Sequence, residues 1–236
     1  KLKKIIVISD QLKLDFEKLY PNISTKLYTV HDAASKFDLK INHKKHLNGK
    51  YKFNLLYVGS LHKGKGLEII EKLIPTFKEF GFHIVGGAGK SLEFWSTKLK
   101  LNKNVFFYGH IPHLSVPNYI DNADICLLPN QKNIKIFNTK YKYIEIGKYT
   151  SPLKLFEYMS QGKSIIASDL PNINEVLKNN YNSILCKSDN IEDWISAIHK
   201  LENDNKLNLK IGMNAKKDFE KYYTWEKRVQ TIFDIK

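Results

Sequence analysis

The chain has 236 residues, 42% of them hydrophobic and 12% aromatic, which is enough to bury a sizeable core and unlike a disordered segment. No apolar run approaches the roughly 20 residues needed to span a bilayer, and Ile5 to Ser9 is too short for the apolar stretch of a secretory signal. The formal charge of +14 comes almost wholly from lysine, Arg228 being the only arginine. That argues against a nucleic-acid reader, which leans on bidentate arginine contacts. It leaves attraction to anionic lipid headgroups or anionic substrates beside the plainer reading of a solvated lysine-rich surface.

Short apolar runs recur along the chain, at 4–8, 27–30, 54–58, 82–85, 105–108, 124–128, 164–167 and 183–186. Most are apolar on both faces, as parallel strands covered by helices on two sides must be. Between them lie helical candidates at 66–80, 90–100, 115–122, 152–161, 172–178 and 190–203. Alternating strand and helix predicts an α/β fold with a doubly wound parallel sheet.

Residues 1–31 read as a strand–helix–strand unit whose first strand has few partners, and so as a remnant of a preceding N-terminal α/β domain. Residues 32–50, with Asn42, Lys44 and Lys45, read as a polar linker, and 51–223 as the main domain. The segment 130–150 is a long loop with possible hairpin strands at 134–137 and 142–146. Its lysines and its tyrosines Tyr141, Tyr143 and Tyr149 make it a candidate cover for a ligand. After residue 204 the chain reads as helical, with a break near Tyr223 and a cap at Thr224. In 224–236, Trp225, Val229, Ile232 and Phe233 recur near helical spacing, so one face of that last helix seeks burial.

Cys126 and Cys186 lie far apart in apolar runs, without metal-ligand spacing, and are expected to be buried free thiols of a reducing, cytoplasmic protein. His110 and His113 lie close together, and no cysteine stands near them at zinc-ligand spacing, so no metal is expected.

The stretch Ser151-Pro152-Leu153-Lys154-Leu155-Phe156-Glu157-Tyr158-Met159 carries the strongest chemical signal. Proline suits a first helical turn, and Ser151 is a good N-cap. The first N–H groups, from Leu153 and Lys154, then form an anion site with the helix dipole and the Lys154 ammonium. Glu157 lies at i+3 from Lys154, on roughly the same face. A diphosphate at the helix mouth and a diol on Glu157 describe a nucleoside diphosphate with its ribose. Glycines at the predicted strand ends, Gly59, Gly86, Gly87 and Gly109, would let backbone approach such a ligand closely.

These residues, in this order, resemble the C-terminal, donor-binding half of a GT-B fold retaining glycosyltransferase of the glycosyl transferases group 1 family. The resemblance rests on Tyr57-Val58-Gly59-Ser60-Leu61 with Lys65-Gly66, the Val85 to Gly89 turn, Val105 to Pro112, Ala123 to Pro129, and Ser151 to Ser168. It implies that Glu157 binds the ribose hydroxyls and that Lys65 neutralises the diphosphate. It also implies that the helix start at Leu153 and Lys154 cradles phosphate, and that backbone around Gly109, His110 and Ile111 meets the base. It implies no metal and no cofactor, with lysine and the helix dipole stabilising the leaving diphosphate.

Where the family often carries an arginine after the first glycine stands Ser60, with Lys63 as a possible substitute. Where it often carries a first glutamate stands Tyr149. The implied activity is hexosyltransferase-like, from a nucleotide sugar to a glycan or lipid-linked acceptor, with possible peripheral membrane contact and no nucleic acid. On this reading the chain alone binds a nucleotide without transferring sugar, its catalytic residues being expected in the N-terminal domain. Two other readings stand beside it: a non-catalytic nucleotide-binding or partner-docking domain, and a GT-B fold sugar-nucleotide epimerase.

Overall fold

A computed structural model describes residues 3–37, 47–138, 142–145, 147–149 and 151–235. Asn42, Lys44 and Lys45 of the expected linker, and Tyr141 of the expected cover, lie outside them, as does the side chain of Tyr143. The chain opens with β1 (Ile5–Val7), α1 (Asp10–Leu19) and β2 (Leu27–Thr29), whose strands pair in parallel as a two-stranded sheet of their own.

Six strands form the main sheet: β3 (Phe53–Val58), β4 (Phe80–Val85), β5 (Val105–Gly109), β6 (Ile125–Leu128), β9 (Ser164–Ser168) and β10 (Ile184–Cys186). All pairings in it are parallel, in the order β10-β9-β6-β3-β4-β5. The segment 130–150 carries a separate antiparallel pair, β7 (Lys135–Asn138) and β8 (Lys142–Glu145), close to the expected hairpin.

The helices are α2 (Leu67–Leu73), α3 (Gly89–Lys98), α4 (Val116–Asp121), α5 (Leu153–Ser160), α6 (Pro171–Asn174), α7 (Ile191–Asn203), α8 (Asn205–Tyr222) and α9 (Trp225–Asp234). α2 is shorter than its apolar pattern suggests. Pro75 has no N–H to offer the carbonyl four residues back, so the helical ladder stops there. α6 likewise contracts to one turn, with Pro171 at its first position.

Because side chains alternate along a strand, the sheet has two apolar faces and the chain two cores. Leu55, Tyr57, Phe82, Ile84, Ile125 and Ile166 face Ile70 and Leu73 of α2 and Trp194 and Ile198 of α7. Leu56, Val58, Cys126, Leu128, Ile165 and Ala167 face Ile120 of α4, Phe156 and Met159 of α5, and Ala215 and Phe219 of α8. Each valine, leucine, isoleucine, phenylalanine or methionine among them contributes about 1.5–3 kcal/mol when fully buried. Both cysteines are buried and unpaired with each other. Burial pushes the Cys186 thiol up to about 12 and Cys126 higher still, so neither is a thiolate.

The N-terminal unit is tied to the rest by named contacts. Both carboxylate oxygens of Glu175 accept backbone N–H groups at the start of α1, from Asp10 at 2.8 Å and Gln11 at 3.0 Å. Asp15 of α1 accepts from Lys148 and from the Tyr149 hydroxyl, each at 2.6 Å. On α9, Arg228 donates to the carbonyls of Val30 and His31. Thr224 caps α9 as its sequence position predicts, its hydroxyl accepting from the Lys227 N–H at 3.2 Å. On that helix Trp225, Val229 and Phe233 remain exposed.

Candidate functional site

The chain leaves β3 toward β4 and β5 on one side and returns to β6 on the other. That reversal of direction is where open α/β sheets form a ligand crevice. β3 and β6 pair only through Leu55–Leu56 and Ile125–Cys126. Beyond that point the ladder ends, and Tyr158 of α5 takes its place. The Tyr158 hydroxyl accepts the Val58 N–H at 2.8 Å and lies 3.5 Å from the Leu127 carbonyl. α5 is thereby fixed against the carboxyl end of the strand that forms the crevice floor.

A cavity of about 470 Å³ opens there, lined by Val58 to His62, by Val85 to Ala88 with Ser91, by His110, Ile111, His113 and Val116, and by Lys154. On its wall the backbones of Gly86 and Gly59 lie close together: Gly86 sits at φ 110, and a Cβ on it would fall 2.2 Å from the Gly59 carbonyl oxygen. Only glycine serves at that crossing.

Of the expected residues, Gly59, Ser60, His110, Ile111 and Lys154 line the cavity. Gly109 turns the chain out of β5 at φ 66, and its carbonyl accepts the Gly86 N–H at 2.7 Å. Lys65 is half-buried on the loop that follows Gly59, and among the described residues its ammonium has no hydrogen-bond or ion-pair partner. Burial lowers its pKa below the usual lysine range. A partly desolvated, unpaired cation of this kind favours an incoming anion.

Three expectations need correction. Ser151 is not the N-cap: Pro152 occupies that position without a side-chain capping bond, so no side chain of the cap serves the first N–H groups of α5. Pro152 is itself extended, at φ −75 and ψ 105, so the helix starts one residue further along. Lys63 does not line the crevice. It lines a separate hollow of about 350 Å³ with Glu68, Gln131, Asn133 and Asp189, because the loop after Gly59 turns away at Gly64, φ 84. Lys154 is not a free cation at the helix mouth, since its Nζ lies 2.8 Å from both carboxylate oxygens of Glu157.

Glu157 itself is only 5% exposed and does not line the cavity; Lys154 stands between the two. Sequence reasoning missed two neighbours of this pair. His113 lines the cavity and brings Nδ1 to 3.8 Å from Glu157 Oε1; its closeness in sequence to His110 was the available signal. Tyr158 had no signal beyond its place beside Glu157, because its bond to Val58 spans 100 residues.

Tyr149, at the position of the glutamate that the family often carries, is committed to Asp15. Among the described residues one set of metal-type donors converges: Asp10, His31 and Glu175. Glu175 there already accepts two N–H groups at the positive end of α1, a place that suits an anion and repels a cation.

The chain has a Rossmann-like α/β sheet with a crevice at the strand-order reversal and a helix start beside it, the place where open α/β sheets hold ligands. The family model described as "Glycosyl transferases group 1" matches residues 38–218, and the chain belongs to that family. It is 31% identical over 191 residues to an uncharacterized glycosyltransferase of Methanocaldococcus jannaschii, covering 77% of this chain and 44% of the relative. Its fold is that of solved GT-B glycosyltransferases. Sucrose-phosphate synthase from Thermosynechococcus elongatus superposes with a TM-score of 0.78 at 18% identity, over 100% of this chain and 58% of that one. HepE of Anabaena, in complex with UDP and glucose, does so at 0.77 and 16%, over 98% and 62%. The chain spans about half the length of the curated relatives it matches. None of the described helices is long and apolar enough to cross a membrane.

Proposed function

We propose that this chain carries the donor side of a retaining glycosyltransferase, binding a nucleotide-diphosphate sugar for metal-independent transfer to a glycan or lipid-linked acceptor. The observation that carries the reading is the crevice itself. It has glycine-lined backbone at the ends of two strands, β3 and β4, a half-buried Lys65 on the loop beside it whose ammonium has no partner among the described residues, and a buried carboxylate, Glu157, one turn inside an adjoining helix. Lys65 and the open start of α5 supply positive potential for a diphosphate as charge builds on it, the work a metal ion does elsewhere. Glu157 offers acceptor lone pairs to a ribose diol. The retaining course is inferred from the family resemblance. A charge of +14 suits an acceptor or surface bearing phosphate. UDP is the first nucleotide to try, since HepE was solved with it.

The test is calorimetry of the chain with UDP, GDP and ADP, with and without EDTA. One nucleotide should bind, indifferent to chelator. Glu157→Ala should weaken it about tenfold or more, the loss of hydrogen bonds to a charged acceptor being about 1.5–3 kcal/mol. No binding of any of the three, or unchanged affinity in a folded Glu157→Ala variant, refutes the donor reading. Binding that vanishes in EDTA refutes the metal-independent one.

A further inference from the structure

The position of Lys154 gives it two possible partners: a phosphate in the crevice or the carboxylate behind it. The geometry favours the second. Its ammonium is equidistant, 2.8 Å, from Glu157 Oε1 and Oε2. The two side chains are 26% and 6% exposed, so the pair is shielded from water far more than an ordinary helix-surface pair. A carboxylate this buried holds its charge only beside a partner. The only other basic side chain of the described residues within 4 Å of it is His113, at 3.8 Å and largely exposed. Lys65, in contrast, has no protein partner among the described residues.

We infer that Lys154 is a positioning residue, which holds the Glu157 carboxylate in place and aimed for the ribose diol, while Lys65 alone of the two is the phosphate cation. This rests on the donor reading above. The arithmetic of lone pairs allows it. An ionised carboxylate offers about four acceptor sites, and one ammonium spanning both oxygens leaves room for two hydroxyls. The arrangement also explains why α5 needs lysine at 154 without a side-chain cap at its start. The lysine's work is done one turn inward, at i+3.

The experiment separates the two roles by ligand series and by a readout that needs no ligand. Binding of uridine, UMP and UDP, or of the matching series for whichever nucleotide the chain takes, is measured for wild type, Lys154→Met, Lys154→Arg and Lys65→Met. A positioning lysine predicts that Lys154→Met weakens all three members by the same factor, about tenfold, and that Lys154→Arg restores most of it. Lys65→Met should cost UDP at least tenfold more than uridine. In thermal melts without nucleotide, Lys154→Met should lower Tm, and adding Glu157→Gln should recover it, because the neutral amide no longer needs a cation. A loss in Lys154→Met that grows with phosphate number overturns the inference, and so does an unchanged Tm. A wild-type chain that binds no nucleoside at all overturns the donor reading itself and the diol assignment with it, whatever the melts show.

Discussion

Replacing Tyr158 by phenylalanine removes one oxygen and nothing else, and it does so at the point where the sheet opens. The Tyr158 hydroxyl is the acceptor of the Val58 N–H at 2.8 Å, and both residues are buried, at 0% and 4% exposure. β6 cannot take over as acceptor, since its pairing with β3 ends at Leu56. The variant therefore leaves a buried donor without a partner, which costs about 1–3 kcal/mol. Phenylalanine keeps the ring packed against Phe156 and Met159's core, so no cavity term adds to this. Burial holds the Tyr158 hydroxyl well above the usual phenol range, so it is neutral at any working pH and the estimate is independent of pH.

The assay is urea unfolding followed by circular dichroism. The midpoint should fall while the slope m is unchanged, giving a loss of about 2 kcal/mol, or about 4–8 °C in Tm for a chain of this size. Val58 lines the crevice, so nucleotide affinity should fall as well. A loss below about 0.5 kcal/mol, the level of an ordinary surface change, would mean that the strands close up without the hydroxyl and that Tyr158 is not what holds the crevice open.

Gly86→Ala should cost about 1–3 kcal/mol and distort the crevice, because its Cβ would meet the Gly59 carbonyl at 2.2 Å; Gly89→Ala, with nothing within 4 Å, is the milder control in the same melt. The Lys148 and Tyr149 hydrogen bonds hold the Asp15 carboxyl below the usual carboxylate range. Their stabilisation is therefore fully present above about pH 3.9, the unfolded value, and is lost as pH falls through the lower folded pKa. Hydrogen exchange of α1 should quicken only in that acid range, and Asp15→Asn should abolish the pH dependence; equal exchange in both proteins at every pH would refute it. Thr224→Ala should destabilise by about 1 kcal/mol in urea unfolding, since its hydroxyl caps α9, and a neutral result would show that Arg228 alone sets the entry of that helix.

Much of the architecture was written in local patterns. Runs such as Asn54–Val58 and Ile125–Leu128 are apolar on both faces, and only a sheet covered on both sides can bury them. Gly59, Gly86 and Gly87, just beyond β3 and β4, marked the edge where the cavity opens, and the spacing of Ser151 to Met159 located the helix beside it. Composition added that one arginine in a chain of 236 residues weakens an arginine-based reading.

What the chain could not announce were contacts between residues distant in sequence. Whether Lys154 faces a ligand or Glu157 depends on how deeply Glu157 is buried, and that burial is set by where α5 lies against the sheet, not by i+3 spacing. Lys63 lines a hollow apart from the crevice and Lys65 lines neither, although both follow Gly59 within six residues. Asp15 meets Tyr149, Glu175 meets the start of α1, and Tyr158 meets Val58 only after the strands have taken their order. Periodicity reports which side of an element wants to leave water; the pairing of hydroxyls, amides and charges needs distances of about 3 Å, and only the assembled tertiary structure decides those.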